Sequence, residues 1–163
     1  MLELKKIILF LFVTHALVSC SDYNKVLNKG TIAEKYSMAT QLYDAEKFSK
    51  ALRLFEMVVP SYKGKPQMER IQFMISQSYF NTGDYFNAAF YFERFAKNYP
   101  KSSKLEEAEF NAAKSSFLAS PKFSLDQTDT KKALVAFQKY IDAYPNSKRI
   151  AESNAMVSEL QYK

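Results

Sequence analysis

Apolar residues recur at helical spacing along most of the chain, and strand-like alternation is absent. Thr31 with Glu34 three residues later forms a capping box, which opens a helix. Ala33, Tyr36, Ala39, Thr40, Leu42 and Tyr43 then share helical spacing. A second helix carries Ala51, Leu52, Leu54, Phe55, Val58 and Val59, and Pro60, Gly64 and Pro66 are expected to break it. A third holds Ile71, Met74, Ile75, Ser78 and Tyr79 and closes near Gly83. A fourth holds Ala88, Ala89, Phe92, Phe95 and Ala96 and stops at Pro100. A fifth carries Leu105, Ala108, Ala112, Ala113 and Phe117. Ser120-Pro121 starts a polar loop to about Asp129. A sixth helix with Ala133, Phe137, Tyr140 and Ile141 stops at Pro145, and Ser147 caps a seventh with Ile150, Ala151, Met156, Val157 and Leu160. No stretch demands a sheet.

The N-terminus follows a different pattern. Lys5 and Lys6 precede a mostly apolar run from Ile7 to Val18, interrupted by Thr14 and His15. It is shorter than the roughly 20 residues that cross a bilayer but fits the core of a secretory signal peptide. Leu17-Val18-Ser19-Cys20 follows and resembles a bacterial lipobox, a small-residue cleavage site beside a thiol able to carry lipid. The expected organisation is a lipoprotein signal peptide over 1–19, a short lipidated polar tether over 20–30 and a helical domain over 31–163. Resemblance to lipoproteins implies thioether diacylation and N-acylation at Cys20, and two or more chains anchor a protein stably. Ser21 rather than Asp after the cysteine implies, by similarity to proteobacterial sorting, delivery to the outer membrane.

Three segments superimpose within the helical part: Ala51-Leu-Arg-Leu-Phe55, Ala88-Ala-Phe-Tyr-Phe92 and Ala133-Leu-Val-Ala-Phe137. Each places a small residue and an aromatic on one helical face. The last two share a further ending, Tyr99-Pro100-Lys-Ser102 and Tyr144-Pro145-Asn-Ser147, which the first lacks. This pattern resembles the tetratricopeptide repeat. The small residue admits a close antiparallel neighbour, the aromatic fills the space beside it, and proline ends the second helix. The alanines are 37 and 45 residues apart, against an ideal period of about 34, with the excess of the third repeat in its loop at 119–130. The expected fold is all-α, a solenoid of antiparallel helix pairs. Its repeats cover about 31–65, 66–102 and 103–147, with a partial fourth over 148–163.

Composition narrows the chemistry. The chain has one Cys, one His and no Trp in 163 residues. Removal of the leader takes away His15, so the mature chain can form neither a Ser-His-Asp nor a Cys-His centre, nor a histidine metal site. No catalytic residue, cofactor or metal is expected. The formal net charge of +6 comes from dispersed lysines and arginines with acidic residues between them. It reads as a solvated surface, and no nucleic-acid partner is expected. Glu106, Glu107 and Glu109 sit at a helix N-terminus, where they favour the dipole. Adjacent carboxylates on a helix do not face each other, which disfavours a two-carboxylate glycosidase.

A lipobox followed by tetratricopeptide repeats resembles the BamD family of lipoproteins, which serve outer-membrane β-barrel assembly. The segment from Ser120-Pro121 through Leu125-Asp126-Gln127 to Thr130, followed by Ala133, Phe137 and Tyr144-Pro145-Asn146-Ser147, is similar to the third repeat of that family, especially its Bacteroidetes type. The family has about five repeats, so the resemblance implies a C-terminally truncated chain. Met156, Val157 and Leu160 are expected to lack a partner.

The resemblance also implies a non-enzymatic role on the periplasmic side of the outer membrane. There the protein binds unfolded outer membrane proteins and hands them to a BamA-like pore protein. In the family the pore protein is met largely through the C-terminal repeats. Extended peptides bind concave faces of helix-pair arrays, and the first helix of each pair is expected to line the groove. That nominates Tyr36, Thr40 and Tyr43 in the first repeat, Phe73, Gln77, Phe80 and Asn81 in the second, and Asn111 and Ser115 in the third. A tetratricopeptide lipoprotein scaffolding cell-wall synthesis or division is the competing expectation.

Overall fold

The computed structural model describes residues 22–120 and 128–161. Those residues form helices joined by short turns, with no strand among them. Helix α1 covers residues 22–29. It is followed by α2 (Ile32–Asp44), α3 (Phe48–Tyr62), α4 (Gln67–Asn81), α5 (Tyr85–Asn98), α6 (Leu105–Ala119), α7 (Thr128–Ala143) and α8 (Ile150–Gln161). The all-α, tetratricopeptide-type expectation therefore holds. The described residues divide into two compact units between Ser61 and Tyr62.

In the first unit, α1 occupies the segment expected as a polar tether. Tyr23 and Leu27, one turn apart, are both buried, and this pair gives the segment its apolar side. Thr31 caps α2 as the sequence indicates. Its Oγ1 accepts from the Glu34 amide at 3.2 Å, and its own amide donates to Glu34 Oε2 at 2.7 Å. Ala39, Ala51, Leu54, Phe55 and Val58 are fully buried, and the Tyr43 ring meets Phe48 and Phe55 edge-on. Pro60 does not end α3, which runs on to Tyr62. Only two helical residues follow the proline, so the missing N–H removes a bond from a turn that is already ending.

In the second unit, two clusters of buried side chains stand beside the buried Ile71, Met74 and Ile75 of α4. One gathers Phe73, Ala88, Phe92, Phe95, Ala108 and Ala112. The other gathers Phe110, Ala113, Phe117, Ala133, Phe137, Tyr140 and Leu160. The Ala-x-x-x-Phe pairs of the second and third repeats stand at their centres, all fully buried. Met156 and Val157 pack against the second cluster and Leu160 is buried in it, so these three side chains do have partners.

The turn inside a repeat is the same at two places 37 residues apart. The Lys47 amide donates to the Leu42 carbonyl at 2.8 Å, and the Asp84 amide to the Tyr79 carbonyl at 3.0 Å. This is a Schellman closure, which needs a left-handed residue. Gly83 supplies it with φ 80°, while in the first repeat Glu46 adopts φ 57°. No atom lies within 4 Å of where a Gly83 Cβ would stand, so backbone strain alone opposes a side chain. Gly83→Ala should cost about 1 kcal/mol and lower the melting temperature by about 2–4 °C. Glu46→Gly should leave it unchanged or raise it, and the reverse order in thermal unfolding would refute this account of the turn.

The turn between repeats is also shared. The Ser102 amide donates to the Tyr99 carbonyl and the Leu105 amide to the Ser102 carbonyl; Ser147 and Ile150 repeat the pattern with Tyr144 and Ser147. The first repeat keeps the same backbone, with Lys65 donating to Tyr62 and Met68 to Lys65, although it lacks the Tyr-Pro pair. Gly64, with φ 77°, sits inside this turn.

Candidate functional site

The first helices of the pairs, α2 in one unit and α4 and α6 in the other, carry the nominated residues. In α2, Tyr36, Thr40 and Tyr43 are half-buried, and the Thr40 hydroxyl donates back to the Tyr36 carbonyl at 3.1 Å. In α4, Phe73 turns inward. It is 8% exposed and meets Phe92 and Phe95 with ring centroids 6.0 and 5.2 Å away. Phe80 is half-buried against Tyr85, and Asn81 is exposed, its amide donating to the Gln77 carbonyl. Asn111 in α6 is half-buried, whereas Ser115 is fully buried and donates to the Asn111 carbonyl at 2.6 Å. Phe73 and Ser115 thus serve helix packing, and the other seven keep some surface.

Polar side chains link the first helices of the second unit. Gln77 Nε2 donates to Glu107 Oε1 at 2.9 Å, joining α4 to α6. Lys114 Nζ reaches Glu152 Oε1 at 2.8 Å, joining α6 to α8. Lys104 stands over the Phe73 ring, and Lys114 and Arg149 over Phe110, at 5.3–5.7 Å. Cations on aromatic faces therefore border this row, where the sequence suggested exposed aromatic rings.

The three glutamates that open α6 point to three different neighbours. Glu106 accepts from Ser147 Oγ at 2.6 Å and Tyr140 Oη at 3.1 Å, with Arg149 at 3.5 Å. Tyr140 Oη and Ser147 Oγ also lie 2.7 Å apart, so two hydroxyl protons serve three short contacts. Ser147 bonding, aided by Tyr140 and Arg149, holds the Glu106 carboxyl below its ordinary value against a smaller opposing effect of burial. Glu107 takes Gln77 and Lys104. Glu109 takes Lys139 Nζ at 3.1 Å and Tyr144 Oη at 2.6 Å. Burial pushes the Tyr144 hydroxyl up, as do its bond to Glu109 and that carboxylate's charge. Each carboxylate is committed to packing, and no two of them flank an open site. Among the described residues no group of His, Cys, Asp and Glu could hold a metal ion.

The conserved geometry explains the Tyr-Pro-x-Ser ending. Ser102 Oγ donates to Glu69 Oε1 at 2.6 Å, as Ser147 does to Glu106. Each serine oxygen also accepts from the backbone two residues on, Lys104 or Arg149. The motif therefore binds the end of a repeat to the start of its own first helix and caps the way into the next. These paired bonds, repeated with the helix pairs, are the structural form of the sequence periodicity.

The family described as YfiO, outer membrane lipoprotein, matches residues 28–163, which take in α2 to α8. The chain belongs to the YfiO family of outer membrane lipoproteins. No curated protein matches it. Among the described residues no helix is long and apolar enough to cross a membrane. The expected signal peptide and Cys20 lie outside the described residues, as do residues 121–127 of the expected polar loop.

Sequence reading nominated nothing on the second helices of the pairs, yet a groove of about 1100 Å³ opens between α5 and α7. Its signal was present: Phe86 and Phe90, one turn apart, lie off the Ala88–Phe92–Phe95 side of α5.

Proposed function

We propose that this YfiO-family protein is a non-enzymatic component of the β-barrel assembly machinery. Through lipid on Cys20 it is held on the outer membrane, facing the periplasm. It binds unfolded outer membrane proteins and passes them to a BamA-like pore protein. The observation that carries this reading is the family match over residues 28–163, which spans the helix-pair array. The described carboxylates support a binding role, because those opening α6 are engaged in packing. Substrate contact falls to Tyr36, Thr40 and Tyr43 on α2 and to Gln77, Phe80, Asn81 and Asn111 on α4 and α6. Aromatic and amide side chains on a helical face suit the alternating side chains of an extended peptide.

The test is in-cell cross-linking with the gene at its native locus and a photoreactive residue at Phe80 or Tyr36. Mass spectrometry would identify the adducts. Immature barrel proteins should be recovered from these positions, and the pore protein should co-purify. Phe80→Ala should reduce barrel-protein adducts at Tyr36 or Asn81 by about tenfold, the usual effect of losing an aromatic anchor. Recovery of wall-synthesis or division proteins without the pore protein would replace this reading with a different scaffold role.

A further inference from the structure

Phe86, Phe90 and Val135 are 73%, 54% and 70% exposed, and all three line the groove between α5 and α7. The cores of both helices are complete without them. Ala88, Phe92 and Phe95 bury the inner side of α5, and Ala133, Phe137 and Tyr140 that of α7. The floor comes from α6 and is made of small side chains, Ala112, Ser116 and Ala119. Isolated exposed apolar residues are ordinary, but three converging on one groove mark a surface that a partner covers.

We propose that this groove receives an amphipathic α-helix of another protein, with an apolar stripe and acidic flanks. The walls and floor are helices, whose backbone groups are satisfied internally, so the groove offers no strand edge. A helix brings its own backbone groups already paired, so it needs only side-chain contacts from such walls. The small floor residues permit close approach of the incoming backbone. From Phe86 to Lys97 the α5 wall is about 16 Å long, or three helical turns.

Charge selects the sign of the partner's flanks. Lys132 is paired with Asp129 and Lys139 with Glu109, yet the two lysines remain 65% and 72% exposed. Two of the three lining carboxylates, Asp129 and Glu109, are taken up in those pairs; among the described lining residues that leaves Lys97 and Lys131 as exposed cations and Glu93 as the carboxylate outside them. An occupant with carboxylates beside its apolar stripe would meet these lysines, and one with basic flanks would be repelled.

The test places photoreactive benzoylphenylalanine at Phe90 or Val135 of the full-length lipoprotein in its own cells. The cross-linked segment is then sequenced by mass spectrometry. The expected adduct is a segment of another protein with apolar residues every three to four positions and acidic residues beside them. Lys97→Glu with Lys131→Glu should reduce its yield about tenfold, while circular dichroism stays unchanged because both side chains are exposed. An adduct to phospholipid, to a second copy, to residues 121–127 of the same chain, or to a basic or strand-patterned segment would overturn the proposal. So would the absence of an adduct, or a yield that ignores the charge reversal.

Discussion

Phe92→Ala and Phe137→Ala should each destabilise the protein by about 3–5 kcal/mol, the range for removing a buried aromatic ring. Both side chains are fully buried one turn after a fully buried alanine. Phe92 meets Phe73 edge-on at 6.0 Å, and Phe137 meets Phe117 edge-on at 6.4 Å, so truncation removes a ring contact as well as buried area. The neighbouring alanines cannot expand to fill the space. Enlarging them is harmful in turn: Ala88→Leu should cost about 1–3 kcal/mol through overpacking. Phe86→Ala, one turn before Phe90 on the exposed side of the same helix, should stay within about 0.5 kcal/mol. Urea unfolding of the four variants checks the ordering. If Phe92→Ala were as mild as Phe86→Ala, the repeat signature would not be the centre of the core.

Glu106→Ala should cost about 1–2 kcal/mol, because it takes away the carboxylate that both the Tyr140 and Ser147 hydroxyls bond. The estimate is kept low since the Glu106 side chain is 41% exposed and water can replace part of what is lost. The loss should also depend on pH. The folded protein holds this carboxyl below its ordinary value of 4.5, so its contribution is present above that value. It disappears as pH falls through the depressed folded value. The stability difference between the wild type and Glu106→Ala should therefore be steady near neutrality and shrink in acid. A difference that widened below pH 4.5 would contradict the hydrogen bonding assigned to Glu106.

The helix pairs were legible because size alternates along them: Ala88 and Ala133 could only serve a close approach, and Phe92 and Phe137 only the space beside it. Individual faces were less legible. Phe73 and Gln77 share a turn, and helical spacing alone does not tell which neighbour each will meet; packing put the ring inside and left the amide for Glu107. Ser115 looked like a polar surface residue, but its hydroxyl bonds the backbone one turn back, which lets a serine pass as a small core residue. Helix α1 was hidden because two buried side chains, Tyr23 and Leu27, stand among polar neighbours. The groove between α5 and α7 depends on helices that are not consecutive, and no local pattern encodes that spacing.

The serine of the repeat ending has an implication for how disturbance spreads. In a linear array, stability divides into what each repeat holds alone and what it shares with its neighbour. Ser102 and Ser147 concentrate part of the shared portion in one oxygen, which cannot leave the preceding glutamate without also loosening the amide that starts the next helix. Fraying at those two junctions is therefore communicated in both directions. At the turn before α4 the corresponding position is Lys65, which has no hydroxyl to offer. The second unit thus has two joints where melting is contagious.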